Sequence, residues 1–300
     1  MNATRIEWTE HTWNPIIGCR RRSPGCENCY AERMAARLAA MPGPVGALYR
    51  HVVNAHGRWT GRQIFLPEVM SKVTRSQKPR MIFAGSMSDW FVDIRIVAVF
   101  ACMNHIRWCS QHTFQLLTKR PADAAKFQGR FFFDGFPPNL WLGTSVENNA
   151  TYYRIERLRE VNAAVRFVSF EPMLEPIRVP VDLVGMDWVI IGCETGPGRR
   201  PMDLAWAEEL AASAKQQGIP VFVKGLNIDG RVVKDPAHPQ WPVWVVRRGN
   251  LPVPMWRNSM RTQWTANPGR GTHQPPQRTG SSPPLWRWRK RAEYDNGTQI

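Results

Sequence analysis

Between residues 79 and 224 the sequence repeats one pattern: a short apolar run, a polar break, then a stretch with helical spacing. The runs are "RMIFAGS" (80–86), "TFQLLTK" (113–119), "LWLGTSVE" (140–147), "VRFVSFEP" (165–172), "WVIIGCE" (188–194) and "VFVKG" (221–225). Each is shorter than an ordinary helix and rich in Val, Ile, Phe and Leu, which reads as strand. The intervening "TYYRIERLREVNAA" and "LAWAEELAASAKQQG" have helical spacing, and the second ends in a glycine suited to a C-cap. Strands that are apolar throughout are buried on both faces, and strand–helix alternation makes them parallel. With "TWNPIIG" near the start as a first strand, about seven such units result. The expected fold is α/β: a full or partial TIM-type (βα) barrel of about six to seven parallel strands. A doubly wound open sheet is the alternative.

In a parallel barrel the C-terminal strand ends meet at one mouth, where the chemistry of such folds is found. Here those ends carry Ser86 and Asp89, Thr118 and Lys119, Ser145 and Glu147, Ser169 and Glu171, Glu194, and Lys224. Singly, each is explained as a solvated loop start, a cap or an ion-pair partner. Together they outline a polar cup.

Half of the six cysteines stand in one short stretch, "NPIIGCRRRSPGCENCYAERMAARLA" (14–39), as Cys19, Cys26 and Cys29. The start, "MNATRIEWTEHTW", mixes Arg, Glu and His and reads as neither a signal peptide nor a lipidation site. No run approaches the roughly 18 apolar residues of a membrane-spanning helix. A cytoplasmic location with no membrane partner is the expectation. There, clustered cysteines serve as metal ligands or redox groups rather than as disulfides, and three cannot pair off internally.

The spacing C-x6-C-x2-C leaves two metals open. Structural zinc takes four N or S ligands, usually as two close pairs; only Cys26 and Cys29 are close, and His11 is the nearest fourth donor. A 4Fe–4S cluster held by three cysteines needs no fourth protein ligand if a small molecule takes the remaining iron. Gly18, Pro24 and Gly25 supply a flexible loop for it, and the helix-like "YAERMAARLA" brings N-terminal N–H donors beside the thiolates. Arg20, Arg21 and Arg22 add positive charge there or are simply solvated.

"NPIIGC" and "CENCYA" after a first strand resemble the cluster loop of radical S-adenosylmethionine enzymes, most of all the branch similar to spore photoproduct lyase. The usual spacing in that class is C-x3-C-x2-C with an aromatic residue beside the last cysteine; the present loop is three residues longer. A resemblance covering about residues 6–224 rests on "WTEHTWNPIIGC", "SPGCENCYAERMA", "GSMSDWF", "FQLLTKRP", "LWLGTSVEN", "RFVSFEPML" and "DWVIIGCETGPGRRPMD". These are similar to a phage and prophage family named after gene products thirty-seven and sixty-eight, whose members carry the three-cysteine motif and whose biochemical function is largely unassigned. Against that family's pattern, Cys193 in "GCETG" replaces a glycine, and "KGLN" (224–227) replaces Lys-Gln-Trp-Gly.

The first resemblance implies roles at named positions. Cys19, Cys26 and Cys29 would ligate the cluster, with Tyr30 packed beside it. S-adenosylmethionine would chelate the open iron through its amine and carboxylate, and reduction would cleave its C5′–S bond. Ser86 and Asp89 would face the methionine amine. Ser145 and Glu147 would hydrogen-bond the ribose, and Glu171, Glu194 and Lys224 would contact the substrate.

Net charge is +16, and half of it lies in 246–300, which holds ten Lys/Arg and two Asp/Glu. The expected organisation is an α/β barrel over 1–228, a covering segment over 229–248 and a disordered basic tail rich in Arg, Pro and Trp over 249–300. The tail reads either as a grip for single-stranded nucleic acid or as a segment not selected for structure, such as a shifted reading frame. DNA, RNA or a nucleotide is the substrate class that the charge suggests. Two other functions stay open: a zinc-binding nucleic-acid module, and a phage interaction protein that pairs with a phage-encoded partner without catalysis. Cys102 and Cys109, near His105 and His112, read as core thiols on one helix face. "GPGRR" (196–200) is a weak phosphate-turn signal.

Overall fold

The structure is a computed structural model and describes residues 2–4, 6–92 and 96–234. Most of the expected covering segment and the whole expected tail therefore lie outside the described residues, and so does the nucleic-acid grip assigned to that tail.

The chain begins with β1 (Asn2–Ala3) and β2 (His11–Trp13), followed by β3 (Ile16–Ile17), α1 (Tyr30–Ala39), α2 (Gly43–Arg50), β4 (Ile64–Phe65) and α3 (Ser71–Thr74). The repeating part then runs β5 (Met81–Ala84), α4 (Ile96–Trp108), β6 (Thr113–Thr118), α5 (Pro121–Phe131), β7 (Leu140–Ser145), α6 (Tyr153–Arg159), β8 (Val165–Phe170), β9 (Trp188–Gly192), α7 (Leu204–Gln216), β10 (Val221–Ile228) and β11 (Arg231–Val233). Each of the six apolar runs between residues 79 and 224 forms a strand. The expected first strand is divided. Pro15 has no N–H for a ladder, so His11–Trp13 joins the main sheet while Ile16–Ile17 pairs with β4.

The main sheet has nine strands in the order β1-β2-β5-β6-β7-β8-β9-β10-β11. From β2 to β10 every pairing is parallel; β1 and β11 add antiparallel edges. The order never reverses, whereas a doubly wound sheet has a reversal at its switch point. That alternative is therefore set aside. The edges are taken by β1 and β11, and no pairing among the described residues closes the sheet on itself. A full TIM-type barrel is thus not what the described residues form.

The sheet nevertheless curls. Trp8 packs on Phe83 of β5, with ring centroids 4.7 Å apart, and on Phe167 of β8 and Trp188 of β9, each at 6.2 Å. Strands β5 and β9 are four steps apart, roughly 19 Å in a flat sheet, and one indole cannot reach both unless the sheet bends around it. The inner cluster combines Trp8, Phe83, Trp141, Val165, Phe167, Trp188 and Ile190. Gly143 makes room for it, because a Cβ there would stand 2.4 Å from the Phe167 ring. The intervening residues, such as Phe114, Leu142, Val168 and Ile191, face the other way and pack with Met103, Phe127, Leu158 and Leu210 of α4 to α7. Cys102 and Cys109 are buried in this outer core, as read from the sequence. Among the described residues no helix is long and apolar enough to cross a membrane.

Beyond β10 the Asp229–Gly230 pair takes positive φ at both residues (48° and 72°), and Ile228 pairs with Arg231 across it. This is a two-residue hairpin turn of the kind that Asp-Gly favours.

Truncating Trp8 should show how far the curl depends on it. Trp8→Ala is expected to cost about 3–5 kcal/mol, measured as a lowered urea midpoint relative to the unaltered chain.

Candidate functional site

The cysteine loop starts at Gly18, whose φ of 89° favours glycine. Its carbonyl accepts from Ser88 Oγ at 2.8 Å and from Gln63 Nε2 at 3.3 Å. The loop then crosses the C-terminal ends of the strands and is pinned at several points. Ser23 Oγ donates to Glu147 Oε1 at 2.8 Å. Gly25 lies so close to Glu147 that a Cβ would stand 2.6 Å from its Cγ. Arg21 pairs with buried Glu32 on α1, which also accepts from Arg58 Nη1 at 3.1 Å and Trp59 N at 2.8 Å. Asn28 Nδ2 donates to Glu194 Oε2 and to the Gly198 carbonyl, both at 2.8 Å. Tyr30 Oη donates to the Ser86 carbonyl at 2.9 Å. Arg21 is therefore an anchor and not merely a solvated charge.

These restraints turn Cys19, Cys26 and Cys29 onto one cavity of about 140 Å³, with Tyr30, Ser86, Asp89, Lys119 and Ser145 on its walls. Burial, together with the Asp89 carboxylate, pushes the Cys19 thiol up to about 12. Burial also raises Cys29. At Cys26 burial is outweighed: the Lys119 ammonium and the N–H groups of Arg22 and Ser23 bring the thiol below its ordinary value. The Arg22 N–H reaches Cys26 Sγ at 3.4 Å. Among the described residues no three His, Cys, Asp or Glu side chains stand close enough to share a single metal ion.

A second cavity of about 390 Å³ fills the upper part of the curl, and Cys29, Tyr30, Lys119 and Ser145 border both. Its floor is Trp8, Phe83 and Leu117; its walls include Ser169, Glu171, Cys193, Glu194 and Lys224. Lys224 Nζ donates to Glu171 Oε1 at 2.6 Å. Lys224 stands at a β-bulge: Val223 pairs with Ile191 and Gly225 with Gly192, leaving Lys224 as the extra residue.

The expected ligand-contacting residues divide into two groups. Ser145, Glu171 and Lys224 face the larger cavity with hydrogen-bonding capacity to spare. Asp89, Glu147 and Glu194 are engaged internally. Asp89 accepts from Thr118 Oγ1 (2.7 Å), Phe91 N (3.1 Å), Lys119 N (2.9 Å) and Arg120 Nη1 (3.0 Å). Glu147 is fully buried, lines neither cavity, and takes Ser23, Lys119 and, at 3.2 Å, Arg154. Glu194 holds Asn28 and, through Arg200, the "GPGRR" turn. Ser86 Oγ exchanges hydrogen bonds with the Asn14 side-chain amide at 3.0 and 3.1 Å. Trp8 and Asn28 were not singled out by the sequence pattern, although both shape the site. Arg154 offered a signal: it stands beside Ile155 on the apolar side of its helix, and a buried arginine requires a buried acid.

A family model described as "Protein of unknown function (DUF5131)" matches residues 3–238. The chain belongs to this family. The DUF5131 match spans strands β2 to β11 and every residue of the two cavities, so the site lies within the part that defines the family. No curated protein and no solved structure matches the chain.

Two outcomes follow for this DUF5131 site. Glu147→Ala strands buried Arg154 and half-buried Lys119 and should cost about 3–5 kcal/mol by urea denaturation; it should also speed alkylation of Cys26 in the metal-free protein, read by mass spectrometry. Glu194 is held below the ordinary carboxylate range: burial opposes this, but Arg200 and Asn28 outweigh it. A depressed carboxyl stabilises at neutral pH and loses that contribution as pH falls through its folded value. The stability gap between the unaltered chain and Glu194→Gln should therefore shrink between neutral pH and roughly pH 3.

Proposed function

We propose that this chain is a radical S-adenosylmethionine-type enzyme whose Cys19, Cys26 and Cys29 hold a 4Fe–4S cluster at the C-terminal mouth of a partial (βα) barrel. The observation that carries the reading is the opening of all three thiols onto one cavity at that mouth, which shares Cys29, Tyr30, Lys119 and Ser145 with a larger lumen. The donor set suits a cubane better than a single ion. Tetrahedral zinc with Zn–S near 2.3 Å brings thiolates to roughly 3.8 Å of one another, whereas a cubane gives each thiolate its own iron and tolerates a wider spread. When bound, such a cluster supplies the electron that breaks the C5′–S bond of S-adenosylmethionine.

The chain's own residues have separate tasks in this reading. Lys119 and the Arg22 N–H offset negative charge on Cys26. Tyr30, fixed through its hydroxyl to Ser86, stands between the thiols and the lumen. Trp8 and Phe83 keep water from the floor. Glu171 and Lys224 stand as an ion pair at the lumen wall, where a substrate would meet them. Asp89, Glu147 and Glu194 fix the loop that carries the cysteines and are positioning residues, not ligand contacts.

Anaerobic reconstitution should give a broad brown absorbance with about four irons per chain and labile sulfide. Cys26→Ala should lose both. With reductant and S-adenosylmethionine the reconstituted protein should release 5′-deoxyadenosine. A colourless protein with one zinc per chain, or a loaded one that never yields that product, overturns the reading in favour of a binding role.

A further inference from the structure

The charges that line the lumen are answered within the protein. Glu171 pairs with Lys224 at 2.6 Å, Glu7 with Lys234 at 2.9 Å, Lys119 with Glu147, and Glu194 with Arg200. A phosphate entering this space would meet carboxylates as well as ammonium groups and would have to displace one to reach the other. The chain's net charge of +16 is therefore not focused here as the electrostatics of phosphate binding require.

What the lumen does offer is uncharged hydrogen-bonding capacity on one side and rings on the other. The hydroxyls of Ser145 and Ser169 have no hydrogen-bond partner among the described residues, although both residues are buried. Lys224 keeps donors beyond the one given to Glu171, and it lines the lumen on the same side of β10 as Phe222. Across from these stand Trp8, Phe83 and the ring of Tyr30, which is 45% exposed. A volume of about 390 Å³ lies near the lower end of small-molecule sites, roughly 300–1,000 Å³. It admits one small molecule and excludes a folded or stacked polymer.

We propose that the lumen binds a heteroaromatic small molecule of nucleoside size without net charge, and not a nucleotide or a nucleic-acid strand. Its ring packs on the Trp8–Phe83 side, and its donor and acceptor edge meets Ser145, Ser169 and the Glu171–Lys224 pair. The assignment deepens the proposed function by naming its substrate class, and it rests on that reading only for the fate of the bound molecule.

The test is isothermal titration of the full chain with cytidine, thymidine, adenosine and guanosine, each beside its 5′-monophosphate. It is run on reconstituted protein and on the Cys26→Ala variant. At least one nucleoside should bind saturably to both, and its monophosphate should bind about tenfold more weakly or not at all. Ser169→Ala and the charge-neutral double variant Glu171→Gln/Lys224→Met should each weaken the nucleoside about tenfold, with urea midpoints confirming that they fold. A monophosphate that binds as tightly as its nucleoside, no binding of any of the four, or variants that bind like the unaltered chain overturns the proposal. Nucleoside binding to a protein that never takes up iron leaves this inference standing and the radical reading fallen. Iron and 5′-deoxyadenosine release without nucleoside binding does the reverse.

Discussion

A parallel sheet must be covered on both faces, and this chain supplies its main layer of helices to only one. Helices α4 to α7 pack on the outer face. The inner face covers itself by bending around Trp8, so that residues from strands far apart in the order share one cluster. Everything at the mouth depends on that bend, because it brings the ends of β5, β6, β7 and β9 within reach of a single loop. The same bend leaves a space above the aromatic floor where the strand ends become polar.

The loop that closes this space is held by buried charge rather than by apolar packing alone. Glu147 gathers Ser23, Lys119 and Arg154; Glu32 gathers Arg21 and Arg58; Asp89 gathers Arg120 and the backbone after β6. A buried ion pair contributes little net stability compared with apolar residues of equal size, but breaking one is costly. Its effect here is specificity of position: the loop has one seating in which every acid finds its partners. Two of these carboxylates, Asp89 and Glu147, follow strand ends, and both spend hydrogen bonds on seating the loop and its neighbours.

Much of the fold was legible because short apolar runs between helical stretches leave few alternatives. The division of the first strand was also foreshadowed by Pro15, and the final hairpin by Asp229–Gly230, a pair that local pattern reading passed over. The site was legible as a set of polar strand ends but not as a division of labour. Whether Glu147 or Glu171 faces the lumen depends on Arg154, Ser23 and Lys224, which lie 7, 124 and 53 residues from the acids they meet. No local spacing encodes those meetings. Trp8 was illegible for the same reason: its importance lies in touching three strands that the sequence keeps far apart.

The bulge in β10 carries an evolutionary constraint. Val221 and Val223 pack in the outer core, and so do Leu226 and Ile228; the parity of the outward positions changes between them, and Lys224 sits at the change. Loss of Lys224 alone would leave Gly225 opposite Gly192 and Leu226 and Ile228 in the outer core, so the packing of the sheet does not itself require the extra residue. What the extra residue adds is an ammonium beside Glu171, so lineages that keep this ion pair should keep the bulge, and those that dispense with the pair are free to straighten the strand.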